Sequence, residues 1–205
     1  PGFAGFGGGL LNGVSDTGPG QPLALKSDLT ISSSDVPDLG GRLTDLSPRP
    51  GTNEVWAHAT SAVSGAMLRF EGLPEEGYSL VDAPASSVGP IWVDSQRFWL
   101  HTDQGLLLVD AEVLVDPPLL PSGESVFDNA IIRRFPEILT VDLDSLFVDP
   151  ATGDAWARES IPPGTLWRAS IDGTLVGREI GGGLLTAVDS TGVPILQENA
   201  GNELR

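Results

Sequence analysis

Cysteine is absent from this 205-residue sequence. That excludes disulfides, thiolate zinc sites and cysteine nucleophiles. Lysine is nearly absent: Lys26 is the single one, and 11 basic residues face 28 acidic ones, for a net charge of −17. Such a field repels a phosphate backbone, so no nucleic-acid partner is expected, and anionic membrane surfaces are disfavoured for the same reason. No apolar run approaches the roughly 18 residues that a spanning helix needs, so no membrane-spanning segment is expected. Only two histidines occur, His58 and His101. The first residue is Pro1 rather than Met. The expectation is either a removed signal or pro-segment or a piece of a longer chain, in an extracellular or periplasmic protein.

What the sequence does have is turn chemistry. Gly (26) and Pro (17) together make about a fifth of the chain, which suits many short strands joined by turns. Hydrophobic residues are 40% and are spread throughout, so a packed core is expected rather than disorder. The length suits one large domain or two small ones. The acidity serves solubility in its simplest reading, with cation binding or a basic partner as alternatives.

Residues 1–21 (PGFAGFGGGLLNGVSDTGPGQ) are Gly-rich and read as an irregular N-terminal arm. Phe3 and Phe6 are its candidate docking side chains. Residues 22–34 (PLALKSDLTISSS) alternate as one strand would. Beyond them the chain repeats. Sliding it by 100 residues places Pro150 on Pro50, Thr152 on Thr52, Asp154 on Glu54, Trp156 on Trp56 and Leu146 on Leu46. Further copies run from Ile91 to Trp99 and from Thr186 to Ile195. Val93-Asp94, Val148-Asp149 and Val188-Asp189 recur just before a turn. A second strand follows as Trp56-Ala57-His58, Trp99-Leu100-His101, Trp156-Ala157-Arg158 and Ile195-Leu196-Gln197. A third begins at Met67, Leu106 and Leu166, and a fourth is expected at Tyr78–Val81, Glu112–Val115 and Thr174–Gly177.

Four strands per unit at a period of about 40 is the pattern of β-propeller blades. The expected fold is therefore all-β and β-propeller-like, over residues 22–205, with about four blades. An insertion of roughly 15–20 residues breaks the period at about 116–138. The last copy stops in its third strand, where Glu203-Leu204-Arg205 matches Met67-Leu68-Arg69. Either the N-terminal strand completes it or the blades belong to a larger ring.

The Asp149-Pro150-Ala151-Thr152-Gly153-Asp154-Ala155-Trp156 turn, with Ser170-Ile171-Asp172-Gly173-Thr174 downstream, resembles a blade of the NHL, gluconolactonase-like and TolB-like propellers. The resemblance covers roughly residues 40–205 and is close only around 145–180. It implies architecture; these families include enzymes, receptors and inert scaffolds. The gluconolactonase-like enzymes hold a divalent metal on the ring axis with Glu, Asn and Asp side chains. No Glu stands on a first strand here at a matching position, which counts against a lactonase.

Each candidate site has a plainer alternative. Asp94, Asp149 and Asp189 could form an arc that binds Ca²⁺ or a basic partner; otherwise each caps its own turn. His58 and His101 share a slot in adjacent repeats and could share a metal or a proton. Arg158 and Gln197 fill that slot elsewhere, so the slot simply takes a long polar side chain. Asp142, Asp144, Asp149 and Asp154 hint at a calcium loop. The EF-hand needs Gly at its sixth position and Glu at its twelfth, where Phe147 and Gly153 stand, so the EF-hand is rejected. Trp56, Trp99 and Trp156 read as packing between sheets, and Trp92 and Trp167 as core. Arg133-Arg134, the only adjacent bases, mark the insertion as a binding surface. No Gly-x-Ser-x-Gly elbow and no Gly-x-x-x-x-Gly-Lys loop occurs.

No constellation that supports catalysis emerges. The expected role is a non-catalytic binding or structural module, needing no cofactor beyond a candidate Ca²⁺, that presents loops to a protein partner. The alternatives are a metal-dependent hydrolase using axial carboxylates and an accessory subunit docked by its arm and insertion.

Overall fold

The computed structural model describes the backbone of residues 3–6, 10–14, 22–25, 31–33, 42–60, 65–71, 78–84, 86–138, 143–160, 164–180 and 183–197, and most side chains among these from 47 onward. The described residues are mostly strand. They form two compact units, Pro1–Arg134 and Phe135–Arg205.

Three sheets build the first unit. β1 (Phe3–Phe6), β2 (Leu10–Val14), β3 (Pro22–Leu25) and β4 (Ile31–Ser33) pair in chain order. So do β5 (Arg42–Pro48), β6 (Glu54–Thr60), β7 (Gly65–Glu71) and β8 (Tyr78–Ala83). The third sheet contains β9 (Ser86–Trp92), β10 (Arg97–Thr102), β11 (Gly105–Asp110) and β12 (Ile131–Phe135). Within this unit β1 and β2 meet β5, and β5 and β6 meet β9. In the second unit β13 (Leu143–Val148), β14 (Ala155–Glu159), β15 (Thr165–Ala169) and β16 (Leu175–Glu179) form a four-stranded sheet. β17 (Leu184–Val188) and β18 (Pro194–Gln197) pair beside it, with β17 meeting β13 and β14.

The repeat register is visible in the pairing. Trp56 stands opposite Arg69, Trp99 opposite Leu108 and Trp156 opposite Arg168. The core of the first unit gathers Trp56, Met67, Phe98, Leu100, Leu107 and Val109. Trp92 closes an aromatic trio, with centroids 5.5 Å from Trp56 and 5.2 Å from Phe98. β11 is buried on both faces, which explains why Leu106-Leu107-Leu108-Val109 does not alternate.

Four expectations are corrected. Glu112–Val115 is not a strand but lies in helix α1 (Ala111–Val115). Asp110 starts it by accepting from the Glu112 N–H at 2.9 Å, and Ala111 and Leu114, three apart, face the core. Burial of that face overrides the β-preference of the two valines. The strand taking the fourth place is β12, so Arg133 and Arg134 lie on an exposed strand rather than in a loop. The added residues sit between the third and fourth strands. They contain a second short helix, α2 (Val126–Ala130), whose Phe127 and Ala130 enter the same core.

At the N-terminus, the single strand expected over 22–34 is two, β3 and β4, with Leu23 opposite Ser33 and Leu25 opposite Ile31. The arm expected to be irregular contains β1 and β2. Its glycines argue against strand. In the register, however, Gly13 stands opposite Phe3 and Gly5 opposite Leu11, so both glycines are taken into the ladder. The third strand expected at 203–205 and the candidate Asp142 lie outside the described residues. No helix among the described residues is long and apolar enough to cross a membrane.

Gly177 shows how tightly one pair fits. It stands opposite Trp167, and a Cβ there would come within 2.5 Å of Trp167 Cζ3. Gly177→Val is expected to lower unfolding free energy by about 1–3 kcal/mol through overpacking. Adding Trp167→Leu should recover part of that loss. Denaturant titration measures both, and an unchanged midpoint for Gly177→Val would count against the fit.

Candidate functional site

The turns between first and second strands carry the acids that the repeat singles out. Each turn follows a closing pair: Pro48 with Val55, Trp92 with Phe98, Val148 with Ala155 and Val188 with Pro194. Asp149 and Asp189 hold the same place, directly after the first strand. Asp94 sits one residue further on, because the Val93 N–H takes the bridging bond to Arg97.

All three carboxylates turn back on their own turns. Asp149 Oδ1 accepts from the N–H groups of Ala151 at 2.8 Å and Thr152 at 3.3 Å, and Oδ2 accepts from the Thr152 hydroxyl at 2.8 Å. Asp189 Oδ1 accepts from the Thr191 N–H and hydroxyl and from the Val193 N–H at 3.0 Å. Asp94 Oδ1 accepts from the Gln96 and Arg97 N–H groups, and its Oδ2 accepts from the Arg97 guanidinium at 2.6 Å and 2.9 Å. Among the described residues no three His or acidic side chains converge as a metal group.

These bonds set the acidity. Burial pushes Asp149 up, but the Ala151 and Thr152 donors and the charge of Arg168 outweigh it and hold the carboxyl below its ordinary value. Burial likewise opposes, and Arg97 and the turn N–H groups overcome, in lowering Asp94. Asp189 is lowered chiefly by the Val193 N–H and by Thr191.

The shared slot on the second strands is a buried polar position. His101 stands opposite Leu106 and Arg158 opposite Leu166, and both are buried. His58 holds the slot opposite Met67, and its side chain lies outside the described residues. Gln197 in the same slot is exposed. Arg133 and Arg134 are exposed; among the described residues Arg134 makes only a 3.5 Å pair with Asp128, of the exposed kind that contributes little.

Two columns of charge were not read as interactions from the sequence. Glu54 and Asp154 end the first turn, and each meets the arginine of its third strand: Arg69 at 3.5 Å and Arg168 at 2.8 Å. The matching spacing of these four residues was the available signal. Their difference in length has a consequence. Glu54 also reaches the Trp56 indole N–H at 3.0 Å. Asp154, one methylene shorter, takes Arg168, the Ser170 hydroxyl and the Ile171 N–H instead, and the buried indole N–H of Trp156 has no partner among the described residues. Arg49 was missed as well. It stands where Asp149 stands in its own repeat, and it binds the Ser95 carbonyl, Glu54 and Glu112.

An open groove of about 740 Å³ lies in the second unit. Trp156, Leu166 and Val176 of the four-stranded sheet line it, together with Val193 and Leu196 from the β17–β18 hairpin. Val176, Val193, Ile195 and Leu196 are large apolar side chains exposed to solvent.

No protein-family model, no curated protein and no solved structure matches this chain.

Asp149 gives a test of the capping role. Its folded pKa is lowered, so its contribution is full above the unfolded value of about 3.9 and is lost as pH falls through the lower folded value. Asp149→Ala is expected to cost about 1–2 kcal/mol at pH 7. The gap to the parent protein should narrow below about pH 3.9. Urea unfolding at a series of pH values measures it, and a gap that widens toward acid pH would contradict the role.

Proposed function

We propose that the chain is a β-propeller-type repeat scaffold, akin to the NHL, gluconolactonase-like and TolB-like group, that acts as an exported, non-catalytic binding module for a protein partner. Several features support the scaffold reading. Consecutive sheets are mostly simple meanders, and inside each unit neighbours meet through their first strands, β1 with β5, β5 with β9 and β13 with β17. The turn carboxylates that a hydrolase would turn toward a metal are instead bound by their own backbone.

One observation carries the binding reading. The segment 117–125 (PPLLPSGES) projects from a firmly held base. Leu114 and Phe127, on the helices either side, are buried in the core, while Leu119 is completely exposed. Loops on rigid scaffolds commonly carry binding. Pro117, Pro118 and Pro121 restrict the free loop, which lowers the ordering cost of a contact.

A photo-crosslinking side chain at position 119, introduced in the producing cell, is expected to give one discrete heavier adduct, whereas position 190 gives none. No adduct at 119, or the same adduct from both positions, would remove the support for this surface.

A further inference from the structure

We infer that the groove of the second unit is a docking site for an extended, acidic-aliphatic peptide strand of a partner protein, which adds along β18. This goes beyond the loop surface described above. The other sheets have four strands, whereas β17 and β18 stand as a pair among the described residues. β18 is bonded to β17 on one side. Pro194 and Leu196 of β18 line the groove, and no described strand pairs with its other edge, whose backbone groups suit strand addition.

The lining specifies what such a strand carries. In the register of β15 and β16, Leu166 stands opposite Arg178 and Arg168 opposite Val176, so these four share the face that lines the groove. Arg168 is held by Asp154 and lies 5.5 Å over the Trp156 ring. Arg178 is exposed and makes no ion pair with a described residue. Glu179, also on the lining, is next in the strand and stands opposite Thr165 on the other face. Among the described residues the Arg178 guanidinium has no carboxylate partner, in a chain of net charge −17. It makes this groove complementary to an acid, while Trp156, Val176 and Leu196 are complementary to aliphatic side chains. Alternate residues of a strand share a face, so the occupant has aliphatic residues and one acid at every second position.

The probe is the peptide acetyl-TVTVTET-amide, with acetyl-TVTVTKT-amide as its charge-reversed control, titrated into the isotope-labelled full chain. The expected result is saturable shifts of the β18 amides and the Trp156 indole N–H with the acidic peptide. Arg178→Glu should weaken that binding about tenfold or more and favour the lysine peptide. Arg178 is exposed on an outer strand, and circular dichroism confirms that the variant keeps the fold. Absence of shifts with either peptide, or equal affinity for both, overturns the proposal. So does protection of the β18 amides from exchange before peptide is added, which would mean that the chain itself or a second copy fills the groove. None of these outcomes bears on crosslinking at position 119, so the two readings fail separately.

Discussion

The first unit is tied together at the Arg49 guanidinium. The side chain is 6% exposed. Its Nε donates to the Ser95 carbonyl at 2.6 Å, one Nη to Glu54 at 2.9 Å and the other to Glu112. It also lies 5.9 Å from the centroid of Trp92. One residue thus connects the turn after β5, the turn after β9 and the start of α1. Burial alone would loosen its proton, but the two carboxylates more than offset that and raise its pKa. A buried charge is stable only with such partners. Removing one partner of a buried pair costs about 3–5 kcal/mol, although half-exposed Glu112 contributes less because water screens it. The planar fork suits three acceptors in different directions, which lysine could not match.

The second unit makes the same connection with opposite chemistry. Asp149 stands in the place of Arg49, and its carboxylate lies against Gly192 in the turn between β17 and β18. Gly192 has φ +81°, and a Cβ there would come 2.8 Å from the Asp149 carboxyl carbon. The glycine is needed both for its backbone and for the space it leaves. In both units the residue after the first strand reaches the next sheet's turn, by hydrogen bond at Ser95 and by close contact at Gly192. The repeat therefore specifies a position of contact rather than one side chain. The turn carboxylates of Asp149 and Asp189 are committed to this framing by the N–H groups of their own turns.

The strand register was legible because Trp56, Trp99 and Trp156 are large, recur at one place and must fill space between sheets. The third strands from Met67, Leu106 and Leu166 followed from it. The all-β class was legible for the same reason, from turn residues at regular intervals. The helix at 111–115 was not legible. Its valines favour strand locally, and only the tertiary burial of Ala111 and Leu114 reverses that. β12 was hidden because Arg133 and Arg134 look like loop residues, while an exposed strand tolerates them. The N-terminal strands were hidden by glycines whose opposite partners are known only once the pairing is. As for the site, the capping role of Asp149 and Asp189 could be anticipated from the turn. Arg49 could not, because its partners Ser95 and Glu112 are distant in sequence. The groove depends on how β18 lies beside the face of β14, β15 and β16, which no local pattern encodes.

The most direct test of this frame is a double-mutant cycle on Arg49 and Glu112, using Arg49→Met and Glu112→Gln singly and together in equilibrium unfolding. The predicted coupling is about 1 kcal/mol or more, because the two residues join the first turn of one sheet to the helix that follows the next. A coupling within about 0.3 kcal/mol of zero would contradict it, since independent residues add to that accuracy.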